Sequence, residues 1–273
     1  MTPPRALTIA GSDSGGGAGL QADLRTFFAC GVHGMTAVTA VTVQNSVGVS
    51  GITVIPPEVV VAQIRAVATD IGVQAAKTGM LATAETVSAV ADAMAEFPSL
   101  PLVVDPVAAS MHGDQLLRDE ALDALRTRLF PRATLVTPNL DEVRLLTGIK
   151  VTDRDSQRAA AVALHAYGPR WVLVKGGHLW TDPSCVDLLY DGSGFVELDG
   201  PRFDVKDTHG SGDTLASVIT AALAKGRSVP DAVRLGKGFI VESVRNAYPL
   251  GAGVGPVSPL WRLPDADAFL RME

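Results

Sequence analysis

Residues 207–214, Asp-Thr-His-Gly-Ser-Gly-Asp-Thr, put glycine, hydroxyl and carboxylate chemistry into one short stretch. The apolar run that follows predicts a helix over about 213–225. Gly210 and Gly212 flank Ser211, so successive backbone N–H groups can point the same way at the helix start. A helix N-terminus already offers unpaired donors and partial positive charge. Together these form an anion hole suited to the charge that phosphoryl oxygens share during transfer. Asp213, in the first turn, can accept a proton from an attacking alcohol. The same residues also read as an ordinary helix start, with Ser211 or Asp213 as the cap and the glycines shaping the turn. Taken alone, the stretch supports both readings.

The elements that must position this chemistry follow from the apolar pattern. Strands are predicted over 6–11, 35–44, 73–80, 102–106, 134–139 and 171–177, and helices over 20–31, 57–72, 84–96, about 115–129, 213–225 and 230–246. Residues 186–198 read as an antiparallel hairpin with an Asp-Gly turn. Alternation of this kind implies an α/β domain, a parallel sheet with helices on both faces, plus an antiparallel edge. No linker, repeat or low-complexity tract interrupts it, so one domain over 1–273 is expected. Ligands of such sheets bind at the carboxyl ends of the strands. The residues there are the glycine-rich 11–19, Gln44, Met80, Asp105, Asn139 and Lys175.

Each has a plainer reading. Gln44 can be a polar strand end, and Met80 can be core. Asp105 precedes Pro106 and can open a turn. Asn139 and Glu142 match a capping box, which is compatible with Glu142 also facing metal-bound water. Lys175 needs a partner if it is buried, and a phosphate would serve.

Composition narrows the classes. A net charge of -6 argues against nucleic acid as partner. No apolar run is long enough for a membrane helix, and Met1–Arg5 does not open a secretory signal, so a cytoplasmic protein is expected. Cys30 and Cys185 are far apart and suit free thiols in a reducing compartment. The five histidines are scattered without metal-ligand spacing. There is no P-loop, no good G-x-G-x-x-G fit at 11–19, and no G-x-S-x-G elbow.

With Gly11–Gly19, Gln44, Lys77-Thr-Gly-Met80 and the 207–214 stretch in view, the chain resembles the hydroxymethylpyrimidine/phosphomethylpyrimidine kinases of thiamine biosynthesis, within the ribokinase-like superfamily. The resemblance runs nearly end to end, through 103–107, 135–142, 172–178 and 251–260. It implies a three-layer αβα sandwich with a mostly parallel sheet and an antiparallel edge hairpin. It implies use of ATP and Mg²⁺, and phosphorylation of 4-amino-5-hydroxymethyl-2-methylpyrimidine to its monophosphate and then its diphosphate. By resemblance, Asp213 is the catalytic base and Gly210, Ser211 and Gly212 form the anion hole. Gln44 reads the pyrimidine, since an amide donates and accepts side by side. Gly11, Ala18, Asp23, Met80 and Val107 line the same pocket. Asn139 and Glu142 organise Mg²⁺ and the ATP phosphates, Asp105 and Lys175 lie at the phosphate end, and Thr208 touches the nucleotide. The family also suggests a homodimer. A pyridoxal kinase of the same superfamily, or a non-catalytic pyrimidine-binding regulator, is the competing reading. Two departures stand out. Many members carry cysteine where this chain has Asp213, although aspartate matches the wider superfamily. The first loop has Ser14 and Gly15 where Pro-Ser is common, which removes a conformational restraint.

Overall fold

In the computed structural model, residues 2–108, 117, 119–177, 179 and 184–262 are described. Nine strands form one sheet: β1 (Arg5–Ser12), β2 (His33–Gln44), β3 (Val49–Val54), β4 (Ala75–Thr78), β5 (Leu102–Val104), β6 (Leu135–Val136), β7 (Trp171–Val174), β8 (Asp187–Tyr190) and β9 (Phe195–Leu198). Their order across the sheet is β3-β2-β1-β4-β5-β6-β7-β8-β9. The six strands from β2 to β7 pair in parallel, while β3, β8 and β9 pair antiparallel.

The helices are α1 (Gly19–Ala29), α2 (Pro57–Asp70), α3 (Ala84–Ala95), α4 (Asp119–Ala124), α5 (Leu140–Thr147), α6 (Arg154–His165), α7 (Ser211–Ala224) and α8 (Val229–Arg245). Successive strand residues point to opposite faces, and the core divides accordingly. Leu102, Val104, Val136 and Val172 join the cluster under α2 to α6. Val103, Leu135, Leu173 and Leu189 join the cluster under α1, α7 and α8. The result is a three-layer α/β sandwich with a mostly parallel sheet, the architecture that the resemblance implies.

The antiparallel hairpin expected at one edge is β8–β9. Asp191 closes it, accepting from the backbone N–H of Ser193 and Gly194 (both 2.8 Å). The other edge differs from the sequence reading. A further strand, β3, folds back on β2, and its residues are mostly exposed. Helix α6 also has no counterpart in that reading. Its buried face is Gln157, Ala160, Ala161 and Leu164, too short in large apolar side chains to show a strong period. The strands before proline are shorter than expected, as at Leu102–Val104 and Leu135–Val136. The helix expected over 115–129 begins within the described residues at Asp119, and Leu125–Leu129 widens into a π turn; residues 115, 116 and 118 lie outside the described residues, as do His112 and His178. No helix among the described residues is long and apolar enough to cross a membrane.

Candidate active site

The carboxyl ends of β1, β2, β4, β5, β6 and β7 converge on the N-terminus of α7. Two cavities of about 300 Å³ each meet there. They share Asn139, Lys175, Thr208, Ser211 and Gly212. Gln44, Met80 and Asp213 line only the first, together with Gly11, Ala18 and Val107. Phe203, Val205, Ile240 and Val241 give the second an apolar wall.

The start of α7 is unlike those of α3, α5, α6 and α8. Thr83, Asn139, Asp153 and Ser228 cap those four with a side-chain oxygen. No side chain caps α7. Gly210 precedes it in the left-handed conformation (φ 74°), which glycine adopts without strain. A Cβ at Gly210 would lie 2.1 Å from the carbonyl oxygen of Gly17. The glycine-rich loop and the helix start therefore touch backbone to backbone. At Gly212 a Cβ would fall 3.2 Å from Lys175 Nζ and 3.3 Å from Asp105 Oδ2. The glycines keep this floor open for an anion.

The 13–18 loop is restrained without proline. The Asp13 carboxylate accepts from the N–H of Gly15 (2.8 Å), Gly17 (2.9 Å) and Ala18 (2.9 Å). Burial alone would raise its pKa, but the bond to His209 and these N–H groups hold it below the ordinary value. Ser14 Oγ donates to the Gln44 carbonyl (2.6 Å) and accepts from the Gln44 N–H (2.8 Å). His209 Nε2 sits 3.0 Å from Asp13 Oδ2 and 3.3 Å from Gln44 Nε2. A chain Asp13–His209–Gln44 thus ties the loop, the α7 approach and the end of β2 together. Sequence reasoning missed Asp13 and His209. The available signal was an aspartate two, four and five residues before backbone N–H groups of a glycine loop.

At the other end, Asp105 Oδ1 accepts from Lys175 Nζ (2.9 Å) and Thr137 Oγ1 (2.9 Å). Burial would lower the Lys175 pKa, but Asp105 and Glu142 outweigh it and hold the ammonium above its ordinary value. Asn139 and Glu142 form the capping box of α5: Glu142 Oε2 accepts from the Asn139 N–H (2.7 Å), and Asn139 Oδ1 from the Glu142 N–H (2.9 Å). Burial pushes Glu142 up to about 7, with Lys175 opposing and Asp105 adding to the shift. Two buried carboxylates beside one ammonium leave a local excess of negative charge. That donor set fits a magnesium ion held by one carboxylate and otherwise by waters and phosphates. It does not fit an all-protein cage, since no group of three His, Cys, Asp or Glu able to hold a metal occurs among the described residues.

Asp23 is placed apart from the others. It is fully buried beneath the cleft and does not line it. It accepts from Lys77 Nζ (2.6 Å), Thr8 Oγ1 (2.6 Å) and Ser217 Oγ (2.6 Å). Lys77, fully buried in β4, also lies 3.6 Å from Asp213 Oδ1. Sequence reasoning left Lys77 without a role, although a lysine inside a buried strand requires a partner.

Residues 13–258 match the family model for phosphomethylpyrimidine kinase. The chain is 63% identical over 264 residues to a hydroxymethylpyrimidine/phosphomethylpyrimidine kinase of Mycobacterium tuberculosis, covering 96% of each chain. It is 48% identical over 252 residues to a thiamine biosynthesis bifunctional protein of Geobacter sulfurreducens, covering 92% of this chain and 51% of that one. An ADP complex of Bacillus subtilis pyridoxal kinase has a TM-score of 0.88 at 38% identity, covering 95% of this chain and 98% of that one.

Proposed function

The chain belongs to the phosphomethylpyrimidine kinase family, and from that membership we infer an ATP-dependent kinase of thiamine biosynthesis, carried by one ribokinase-like domain. It phosphorylates the hydroxymethyl group of 4-amino-5-hydroxymethyl-2-methylpyrimidine, then phosphorylates the monophosphate to the diphosphate. One observation supports the site assignment above the rest. Asp213 stands at an uncapped helix start, where the cavity holding Gln44 meets a more apolar one.

In this reading the pyrimidine occupies the first cavity against Gly11, Ala18, Met80 and Val107, with Gln44 pairing to the ring. The adenine end of ATP takes the second cavity, whose apolar wall suits a flat heteroaromatic base. Asn139, Lys175 and Thr208, at the junction, hold the phosphate chain, and Asp105 lies at the phosphate end, where it fixes the Lys175 ammonium. The N–H groups of Gly210 and Gly212 receive the oxygens of the transferring phosphoryl group, joined by that of Ser211 once it leaves the Thr208 carbonyl, to which it donates at 3.2 Å. Asp213 accepts the acceptor's proton as the new O–P bond forms. Glu142 would hold Mg²⁺, which supplies charge neutralisation for the phosphates. Asp23 acts from beneath the cleft and not as a wall of it.

A coupled assay of ATP turnover with the aminopyrimidine, its monophosphate and pyridoxal tests this. The expected order of kcat/KM places both pyrimidines above pyridoxal. Pyridoxal belongs in the comparison because of the similarity to the pyridoxal kinase structure. A higher kcat/KM for pyridoxal overturns the substrate assignment, and no turnover with any of the three overturns the kinase.

The reading extends to a homodimer through the β2–β3 edge. On these two strands Val41 and Val43 on one face, and Ile52 and Val54 on the other, leave 40–64% of their surface exposed, an apolar edge that is unusual for a free surface. Light scattering on purified protein should give twice the chain mass, and Val43→Lys should shift it to one. A monomeric wild type contradicts this.

A further inference from the structure

Lys77 is a buried cation that the phosphoryl-transfer scheme does not use. Its side chain is 0% exposed, and so is that of Asp23, its nearest partner at 2.6 Å. Taking both charges out of water costs several kcal/mol per ion, so such a pair is weak evidence for stability. A purely structural pair would be closed. This one is open on one side, where Asp213 Oδ1 lies 3.6 Å from Lys77 Nζ and its side chain is 15% exposed at the cleft. The far side is fixed: Asp23 is held by hydroxyls from Thr8 on β1 and Ser217 on α7. Ser217 sits one helical turn after Asp213, so both ends of the relay ride on one helix. Gly79 backs onto the pair, since a Cβ there would touch both Lys77 Nζ and Asp213 Oδ1 at 3.7 Å and press on the Ala10 Cβ at 3.0 Å. The electrostatics agree. Burial pulls Lys77 down, yet the carboxylates of Asp23, Asp213 and Asp105 outweigh it and keep the ammonium charged. Asp23, sharing that one cation with Asp213, is the acid that burial lifts, to about 6.

We propose that Lys77 is a positioning residue for the first phosphoryl transfer, anchored from below by Asp23 and holding the Asp213 carboxylate in line with the acceptor hydroxyl. This rests on the reading of Asp213 as base. In that step the acceptor O–H bond breaks and its proton passes to Asp213. The acceptor oxygen bonds to the γ-phosphorus, and the bond from phosphorus to ADP breaks. Lys77 keeps all its protons and acts only through Asp213. The second transfer starts from an ionised phosphate and does not draw on this support.

The test is a double-mutant cycle read on both acceptors. Lys77→Met/Asp23→Asn removes one charge of each sign and keeps the side chains near their native volumes. In the Asp213 protein this change is expected to lower kcat for the alcohol by ~10–100-fold, less than the ~10²–10⁴-fold a general base itself supplies, with KM and the rate on the monophosphate within about threefold. In the Asp213→Asn background the same change should alter the alcohol rate by less than about threefold, because groups acting as one unit are not additive. Equal losses in the two backgrounds, or equal losses on the two acceptors, overturn the positioning role. If Asp213→Asn alone leaves the alcohol rate intact, the base reading fails, and Lys77's role with it. Should the double variant not fold, Lys77→Gln, which keeps an N–H for Asp23, replaces it in the same cycle with the same outcomes.

Discussion

At the scale of single residues, recognition and chemistry separate along the cleft. Gln44 ends β2 with its amide between Thr42 Oγ1 (3.2 Å) and His209 Nε2 (3.3 Å). Its backbone is fixed by Ser14, so the side chain is presented by a braced loop. A site built to hydrogen-bond a ring loses affinity when that partner is replaced by an apolar group. Gln44→Leu should therefore raise KM for the aminopyrimidine by ~10–100-fold with kcat within a few-fold, a change in binding common to ground and transition states. Initial-rate kinetics check this; an unchanged KM, or a collapse of kcat alone, contradicts the assignment. Gln44, Asp105, Asn139, Lys175 and Asp213 were legible because each follows a strand or opens a helix in the sequence. Asp13, Lys77 and His209 were not. Their importance lies in contacts across 196 or 54 positions of chain, as between His209 and Asp13 or Lys77 and Asp23. A single sequence does not print such contacts. Asp23 was legible only through resemblance, and its burial under the cleft required the packing of α1 on β1, β4 and α7.

Among the elements, α7 carries the design. Its residues from Thr214 to Ala224 are all buried, so tertiary packing holds the helix and not its own cap. That packing allows the N-terminal N–H groups to remain without a side-chain partner. A cap is worth ~0.5–2 kcal/mol, and burial along α7 offsets its absence. The close approach of Gly210 to Gly17 adds a second anchor. The alternation of strands and helices was readable because large β-branched and leucine residues mark both. Strand β3 was not readable: Gly51 interrupts a short stretch whose side chains mostly face solvent, so no inward period exists. Helix α6 was missed because alanine carries much of its buried face. The N-terminal edge of the sheet therefore came as a structural finding, and the hairpin β8–β9 at the opposite edge did not.

For the whole molecule, the central feature is one cleft that serves two transfers with different needs. The first acceptor is an alcohol, which must lose a proton. The second is a phosphate, which is already ionised. In the proposed scheme the same anion floor at Gly210–Gly212, the same Lys175 and the same ATP cavity serve both, whereas Asp213 is demanded by only one. The most direct measurement is kcat of Asp213→Asn on the aminopyrimidine alcohol and on its monophosphate, in the same preparation. The account predicts a loss of ~10²–10⁴ on the alcohol, the range of general-base catalysis, and a loss under about tenfold on the monophosphate. Equal losses on the two acceptors would contradict it.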